Sequence, residues 1–212
     1  MFFLDDKIEF PPVENTSDEG IIAIGGDLSP ERLLYAYKKG IFPWFEEGSQ
    51  ILWWCPDPRM VLFPDHLRIT NSMKQVLKSN RFKVTFNTAF VDVIQNCSNI
   101  KREGQKGTWI TNDMIKAYTK LHEMGVAVSV EVWNDDVLVG GLYGIDLGNI
   151  FCGESMFAKV SNASKVAFIT LVNKLKEENY KLIDCQVYTN HLASLGAEEI
   201  KRETFLSILK NN

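Results

Sequence analysis

The alternation of apolar and polar residues divides the chain into short strands and amphipathic helices. The first 28 residues are broken by Pro11-Pro12, Asn15-Thr16-Ser17 and Gly25-Gly26 and read as loop and short strands. A helix follows: Ser29 caps it, Pro30 suits its first turn, and Glu31 sits at its positive end. Leu33, Leu34 and Tyr37 give this helix an apolar stripe, and Gly40 ends it. The stretch 41–58 holds Trp44, Trp53 and Trp54 among Pro43, Pro56 and Pro58. Proline forbids a regular helix there, so rigid aromatic loops or short edge strands are expected.

Further on, the pattern predicts strands over 59–64, 82–86, 126–133, 137–143, 149–152 and 181–187. Helices are predicted over 71–79, 89–97, 111–124, 162–179 and 204–210. In the third of these, Met114, Ile115, Tyr118 and Leu121 share a face. Asn134-Asp135-Asp136 turns a hairpin, and residues 99–107 form a polar loop. This order predicts an α+β fold around a mixed, largely antiparallel sheet, with a small N-terminal domain over 1–60 and a larger one over 61–212.

Composition narrows the class. At 45% hydrophobic and 24% charged residues, a disordered or fibrous chain is excluded. No apolar run approaches the length of a membrane span, and Asp5 and Asp6 stand where a signal peptide would be basic, so no membrane association is expected. Cys55, Cys97, Cys152 and Cys185 form no close pair and are read as small buried hydrophobes in a reducing, cytoplasmic compartment. With three histidines in the chain, no metal site is expected.

The net charge of −4 argues against a generic nucleic-acid binder, but it hides an asymmetry. Arg59, Arg68, Lys74, Lys78, Arg81, Lys83, Lys101, Arg102 and Lys106 outweigh Asp65, Asp92 and Glu103, a local net of +6 against −10 elsewhere. Such a stretch is either a solvated surface or a local grip on a polyanion.

Several segments carry chemistry. Phe151-Cys152-Gly153-Glu154-Ser155-Met156-Phe157 puts a carboxyl and a hydroxyl where a strand spills into a loop. Asn162-Ala163-Ser164-Lys165 opens a helix with polar groups at its positive end. In strand 182–187, Asp184 and Gln186 share one face, and Ile183, Cys185 and Val187 the other. An acid beside an amide there is either a satisfied polar network or a site. His66, His122 and His191 are scattered, and no Ser/His/Asp arrangement is evident. Gly140-Gly141-Leu142-Tyr143-Gly144 lies in a hairpin, which suits close backbone approach to a ligand, or a β-bulge, better than a dinucleotide loop.

Taken with Gly25-Gly26-Asp27-Leu28-Ser29, Gly40-Ile41-Phe42-Pro43-Trp44-Phe45, Leu52-Trp53-Trp54-Cys55-Pro56-Asp57-Pro58-Arg59, Thr108-Trp109-Ile110-Thr111, Ser129-Val130-Glu131-Val132-Trp133 and His191-Leu192-Ala193-Ser194-Leu195-Gly196-Ala197, these segments resemble the leucyl/phenylalanyl-tRNA–protein transferases over about residues 20–206. The resemblance implies a small N-terminal domain joined to a GNAT-like acyltransferase domain. It implies transfer of Leu, Phe or Met from aminoacyl-tRNA to proteins with N-terminal Arg or Lys, marking them for N-degron degradation. No metal and no cofactor is implied, and a cytoplasmic monomer is expected.

By the same resemblance, Trp44 and Trp109 stack on the 3′-terminal adenosine, and Glu154 hydrogen-bonds in its pocket. Leu142, Phe168, Leu171, Leu175 and Ile183 line the pocket for the transferred side chain. Leu171 and Leu175 stand where some members carry bulkier aromatics. Asp184 and Gln186 form the catalytic pair, with Asp184 polarising Gln186 or serving structure instead. Lys74, Lys78, Arg81 and Lys83 then face the tRNA backbone. Two other readings compete. A coenzyme A-dependent acyltransferase would want an R/Q-x-x-G-x-G/A loop, which the chain lacks. A non-catalytic RNA-binding module leaves the Asp184/Gln186 face unexplained.

Overall fold

In a computed structural model of the chain, residues 2–100 and 108–210 are described. Most of the expected polar loop, with Lys101, Arg102, Glu103 and Lys106, lies outside the described residues. A four-stranded sheet holds β1 (Phe3–Leu4), β2 (Ile21–Gly25), β3 (Phe42–Pro43) and β4 (Leu52–Trp54) in the order β1-β2-β4-β3. A seven-stranded sheet holds β5 (Arg59–Leu62), β6 (Lys83–Phe86), β7 (Ala127–Asn134), β8 (Val137–Asp146), β9 (Ile150–Ala158), β10 (Leu182–Gln186) and β11 (Glu198–Ile200). Its order is β11-β5-β10-β9-β8-β7-β6, antiparallel throughout except between β9 and β10. The helices are α1 (Pro30–Lys38), α2 (Asn71–Lys78), α3 (Phe90–Asn99), α4 (Asn112–Glu123), α5 (Ala163–Glu177), α6 (Asn190–Ser194) and α7 (Arg202–Lys210). The α+β class with a mixed, largely antiparallel sheet is thus as the sequence pattern predicts.

Local chemistry sets the helix starts. The hydroxyls of Ser29, Thr70 and Thr111 accept the backbone N–H of Arg32, Met73 and Met114 at the mouths of α1, α2 and α4. At α3, Ala89 has no capping side chain, and the buried Glu131 on β7 reaches across to accept the N–H groups of Thr88 and Ala89 at 3.4 Å. The large sheet is covered on both sides. One face packs Val93, Ile94, Met114 and Tyr118 of α3 and α4. The other packs Phe168, Leu171 and Val172 of α5. The first of these cores continues into Trp53, Phe42 and Ile22 of the small sheet, so the two sheets share it.

Three details depart from the sequence reading. β9 runs on to Ala158, so Glu154 and Ser155 lie within a strand rather than in a loop beyond it. β4 is an inner strand, and β3, with Pro43, is the edge. β1, α6 and β11 are two to five residues long, too short for periodicity to reveal.

The glycines of β8 serve packing. A Cβ on Gly140 would lie 2.5 Å from that of Ala163, and one on Gly144 would lie 2.5 Å from the Phe151 ring. They admit α5 and Phe151 against the strand rather than a ligand. The expected bulge is present, where the β8–β9 register shifts between Tyr143 and Gly144.

Candidate active site

The parallel strands β9 and β10 leave, beside β8 and α5, a cavity of about 350 Å³. Its apolar wall is Leu142, Phe151, Met156, Phe168, Leu171 and Ile183. Trp44 and Trp109 also line it, and Glu154 and Gln186 supply polar groups. Eight of the residues expected in the site therefore meet at one cavity. Leu175 does not line it. It is 3% exposed and packs within the α5 core instead. Asp184 does not line it either, being 1% exposed and one layer behind.

Trp44 is 38% exposed, and its ring lies tilted 5.3 Å from that of Trp54. The Trp54 indole N–H donates to the Trp44 carbonyl at 2.6 Å, which fixes the loop that presents Trp44. Trp109 is half-buried just before α4 and also lines the cavity.

The acid and the amide are arranged differently from simple alternation. The Arg59 guanidinium donates twice to Asp184, Nε to Oδ1 at 2.8 Å and Nη2 to Oδ2 at 2.6 Å. Arg59 is 1% exposed and lies between the rings of Phe42 and Phe205. It is an interior charge and no part of a basic surface, contrary to its place in the +6 stretch. Asp184 Oδ1 also accepts the backbone N–H of Gln186 at 2.9 Å.

Gln186 has φ +65°, and the β5–β10 register shifts across Cys185. The bulge ends the period of two. Gln186 consequently joins Ile183, Cys185 and Val187 at the cavity, while Asp184 turns into the core.

Gln186 Nε2 donates to Glu154 Oε1 at 2.8 Å. The hydroxyls of Tyr37 and Tyr118 also lie within hydrogen-bond reach of Glu154, 2.7 Å from Oε1 and 3.1 Å from Oε2, and those two hydroxyls touch each other. Burial outweighs these donors and pushes the Glu154 carboxyl up to about 7. Tyr37, Tyr118 and Arg59 were hidden in the sequence as members of apolar stripes or of a basic run. The signal for Arg59 was a charge opening a fully apolar strand, matched by Asp184 in another.

All four cysteines are buried and none forms a disulfide. Burial raises the thiols of Cys55, Cys152 and Cys185, which makes them poor nucleophiles. His191 also lines the cavity, and burial beside Lys165 holds its imidazole toward the neutral form. Among the described residues no cluster of three His, Cys, Asp or Glu side chains is placed to hold a metal. Nor is any described helix long and apolar enough to cross a membrane. Lys74, Lys78, Arg81 and Lys83 are exposed on α2, β6 and the turn between them, away from the cavity lining.

The mixed-sheet fold thus presents one cavity that joins an apolar recess, two tryptophans and an amide whose nitrogen Glu154 holds. Residues 61–210 match the leucyl/phenylalanyl-tRNA protein transferase family, and residues 26–57 match its N-terminal domain. Leucyl/phenylalanyl-tRNA–protein transferases of Flavobacterium johnsoniae and Flavobacterium psychrophilum are 65% and 60% identical over 100% and 99% of this chain and all of theirs. The chain belongs to the leucyl/phenylalanyl-tRNA–protein transferase family. Among solved structures, that of FemX is similar in fold, with a TM-score of 0.51 at 11% identity over 81% of this chain and 66% of that one.

Proposed function

We propose that this enzyme moves Leu, Phe or Met from the 3′ end of a charged tRNA to the α-amino group of proteins beginning with Arg or Lys, and so marks them for N-degron degradation in the cytoplasm. It acts as a monomer, with a small domain over 1–60 carrying Trp44 and a larger one over 61–212 carrying the amide. The observation that supports this most is the Gln186 amide. Glu154 holds its nitrogen at 2.8 Å, on the wall of a cavity that also bears Trp44, Trp109 and an apolar recess.

The donor is an activated ester, so the enzyme needs no covalent nucleophile. Trp44 and Trp109 grip the terminal adenosine by stacking, and Glu154 bounds its pocket. The transferred side chain fills the recess formed by Leu142, Phe168, Leu171 and Ile183. With its nitrogen held, Gln186 turns its oxygen to accept an N–H of the attacking amine and aligns it on the ester carbonyl. The C–N bond forms as the C–O bond to the ribose breaks. The amine proton leaves through the substrate or a water to the departing ribose oxygen. Asp184 acts behind Gln186, by fixing its backbone. Lys74, Lys78, Arg81 and Lys83 meet tRNA phosphates.

The test is a filter assay for labelled Leu passed from tRNA to a peptide beginning with Arg, run beside a coenzyme A binding assay. Transfer without coenzyme A binding is expected. Binding of tRNA with no transfer would favour a non-catalytic RNA module.

A further inference from the structure

Tyr37 on α1, Tyr118 on α4, Glu154 on β9 and Gln186 on β10 bring four polar side chains from four elements into mutual contact. Three of the contacts close a triangle: Tyr37 to Glu154 Oε1, Tyr118 to Glu154 Oε2, and Tyr37 to Tyr118. A fourth joins Gln186 Nε2 to Oε1. Each contact needs one hydrogen. With an ionised carboxylate, the two phenols and one amide N–H supply three hydrogens for four contacts. One oxygen–oxygen contact is then left bare inside a buried site, which is unfavourable. With a protonated carboxyl, four hydrogens meet four contacts.

We infer that Tyr37, Tyr118 and Glu154 form a closed ring of three hydrogen bonds around a neutral carboxylic acid, and that this ring is the positioning element for Gln186. The ring uses the one hydrogen that the carboxyl owns. Oε1 has then only lone pairs to offer Gln186, so the amide must donate with its nitrogen and present its oxygen to the cavity. Tyr37 and Tyr118 act through Glu154 and are positioning residues. Loss of the ring proton leaves one of the three oxygen–oxygen contacts without a hydrogen and loosens the carboxyl that holds Gln186 Nε2.

The surroundings favour the neutral form. Asp184 on β10 adds negative charge, although Arg59 on β5 neutralises most of it. Tyr143 on β8 stands edge-on to Tyr118, and Cys152 on β9 is a buried thiol whose own ionisation Glu154 opposes. No cation touches the ring among its described contacts. The raised carboxyl of Glu154 agrees with this count.

The inference rests on the proposed role of Gln186, and its test separates the two. The free enzyme is titrated by infrared difference spectroscopy against Glu154→Gln, which removes the carboxyl and keeps a donor and an acceptor in the ring. A protonated-carboxyl band is expected in the wild type at about pH 6, lost in Glu154→Gln, with a midpoint near 7. An ionised Glu154 at about pH 6 would overturn the ring.

The rate profile is the second arm. Deprotonation of the acceptor amine raises the rate with pH, and opening of the ring lowers it. The wild type should therefore give a bell and Glu154→Gln a single rising limb, whatever its absolute rate. Identical profiles in the two would remove the positioning role even if the band is present. A titrating band with no transfer from charged tRNA would instead leave the ring standing and sink the proposed reaction.

Discussion

Asp184 meets Gln186 through the main chain. Its Oδ1 accepts the Gln186 backbone N–H at 2.9 Å, while the Gln186 side chain turns away to Glu154. Both Asp184 oxygens are already held by Arg59, so the acid pins a left-handed residue in place rather than polarising an amide. Removing one partner of a buried ion pair costs about 3–5 kcal/mol. Asp184→Ala is thus expected to lower the melting temperature by many degrees. Gln186→Ala should melt close to the wild type and lose about 100-fold in kcat. Gln186→Glu should keep part of the rate. Thermal melts paired with the transfer assay check this, and equal melting temperatures for Asp184→Ala and wild type would reject the account.

The helices and the strand order class were legible in the sequence because each of α1 to α5 carries a cap or a stripe of three or more apolar residues. The cavity was legible only through family resemblance, since its wall draws on β8, β9, β10 and α5, and nothing local ties Leu142 to Phe168 or Ile183. Leu175 was misplaced for a related reason. It lies one turn after Leu171 on the same apolar face of α5, and spacing cannot say where a cavity ends and solid packing begins. Asp184 and Gln186 were given a common face by a rule that a single bulge at Cys185 cancels.

Trp44 is 38% exposed and lines the cavity, and under the proposed function its ring stacks on the terminal adenosine. Stacking of a base on an aromatic ring is worth about 1–3 kcal/mol. Trp44→Ala is expected to raise KM for charged tRNA by roughly 5- to 150-fold with kcat nearly kept, whereas Trp44→Phe keeps most of the affinity. Steady-state kinetics at varied tRNA concentration decide the matter. An unchanged KM would remove Trp44 from the adenosine site.

Leu171 and Leu175 should separate cleanly. Leu171 faces the cavity, so Leu171→Phe shrinks it and should cut Phe transfer relative to Leu by about 10-fold, as expected for a methylene or more of lost space. Leu175→Ala instead opens a hole in the core, costs about 2–5 kcal/mol of stability, and leaves the Phe-to-Leu ratio alone. Competition between Leu-tRNA and Phe-tRNA measures the ratio. A shift with Leu175→Ala would place that side chain back in the pocket.

Lys74 and Lys78 lie four residues apart on the exposed side of α2, one turn from each other. If each meets a phosphate, replacing either by Ala lowers the slope of log affinity against log salt by about 0.7–0.9. The preference among donor amino acids should stay fixed, because the cavity is untouched. Filter binding of tRNA across a salt series checks the slope. A changed donor preference would argue against a backbone contact.

Glu154 also leaves a mark on folding. Its carboxyl rises from an ordinary 4.5 to about 7 in the native state, with burial as the main cause. Between those values the native state binds a proton that the unfolded chain has released, so stability from this group falls as pH rises. The contribution is fully present below about pH 4.5, declines by at most about 1.4 kcal/mol per pH unit, and is gone above about pH 7. Other acids move the opposite way: Asp27 is lowered by its bonds to Ser29 and Arg32 against its own burial, and Asp65 by Lys176. Their effects cancel in the comparison with Glu154→Gln, which has nothing to titrate at this position. The stability difference between the wild type and Glu154→Gln, measured by urea melts at a series of pH values, should slope downward from about pH 5 to about pH 7 and then run flat. A flat difference throughout would mean that Glu154 is ionised in the folded enzyme at every pH tested, and that burial has been overcome by its three donors.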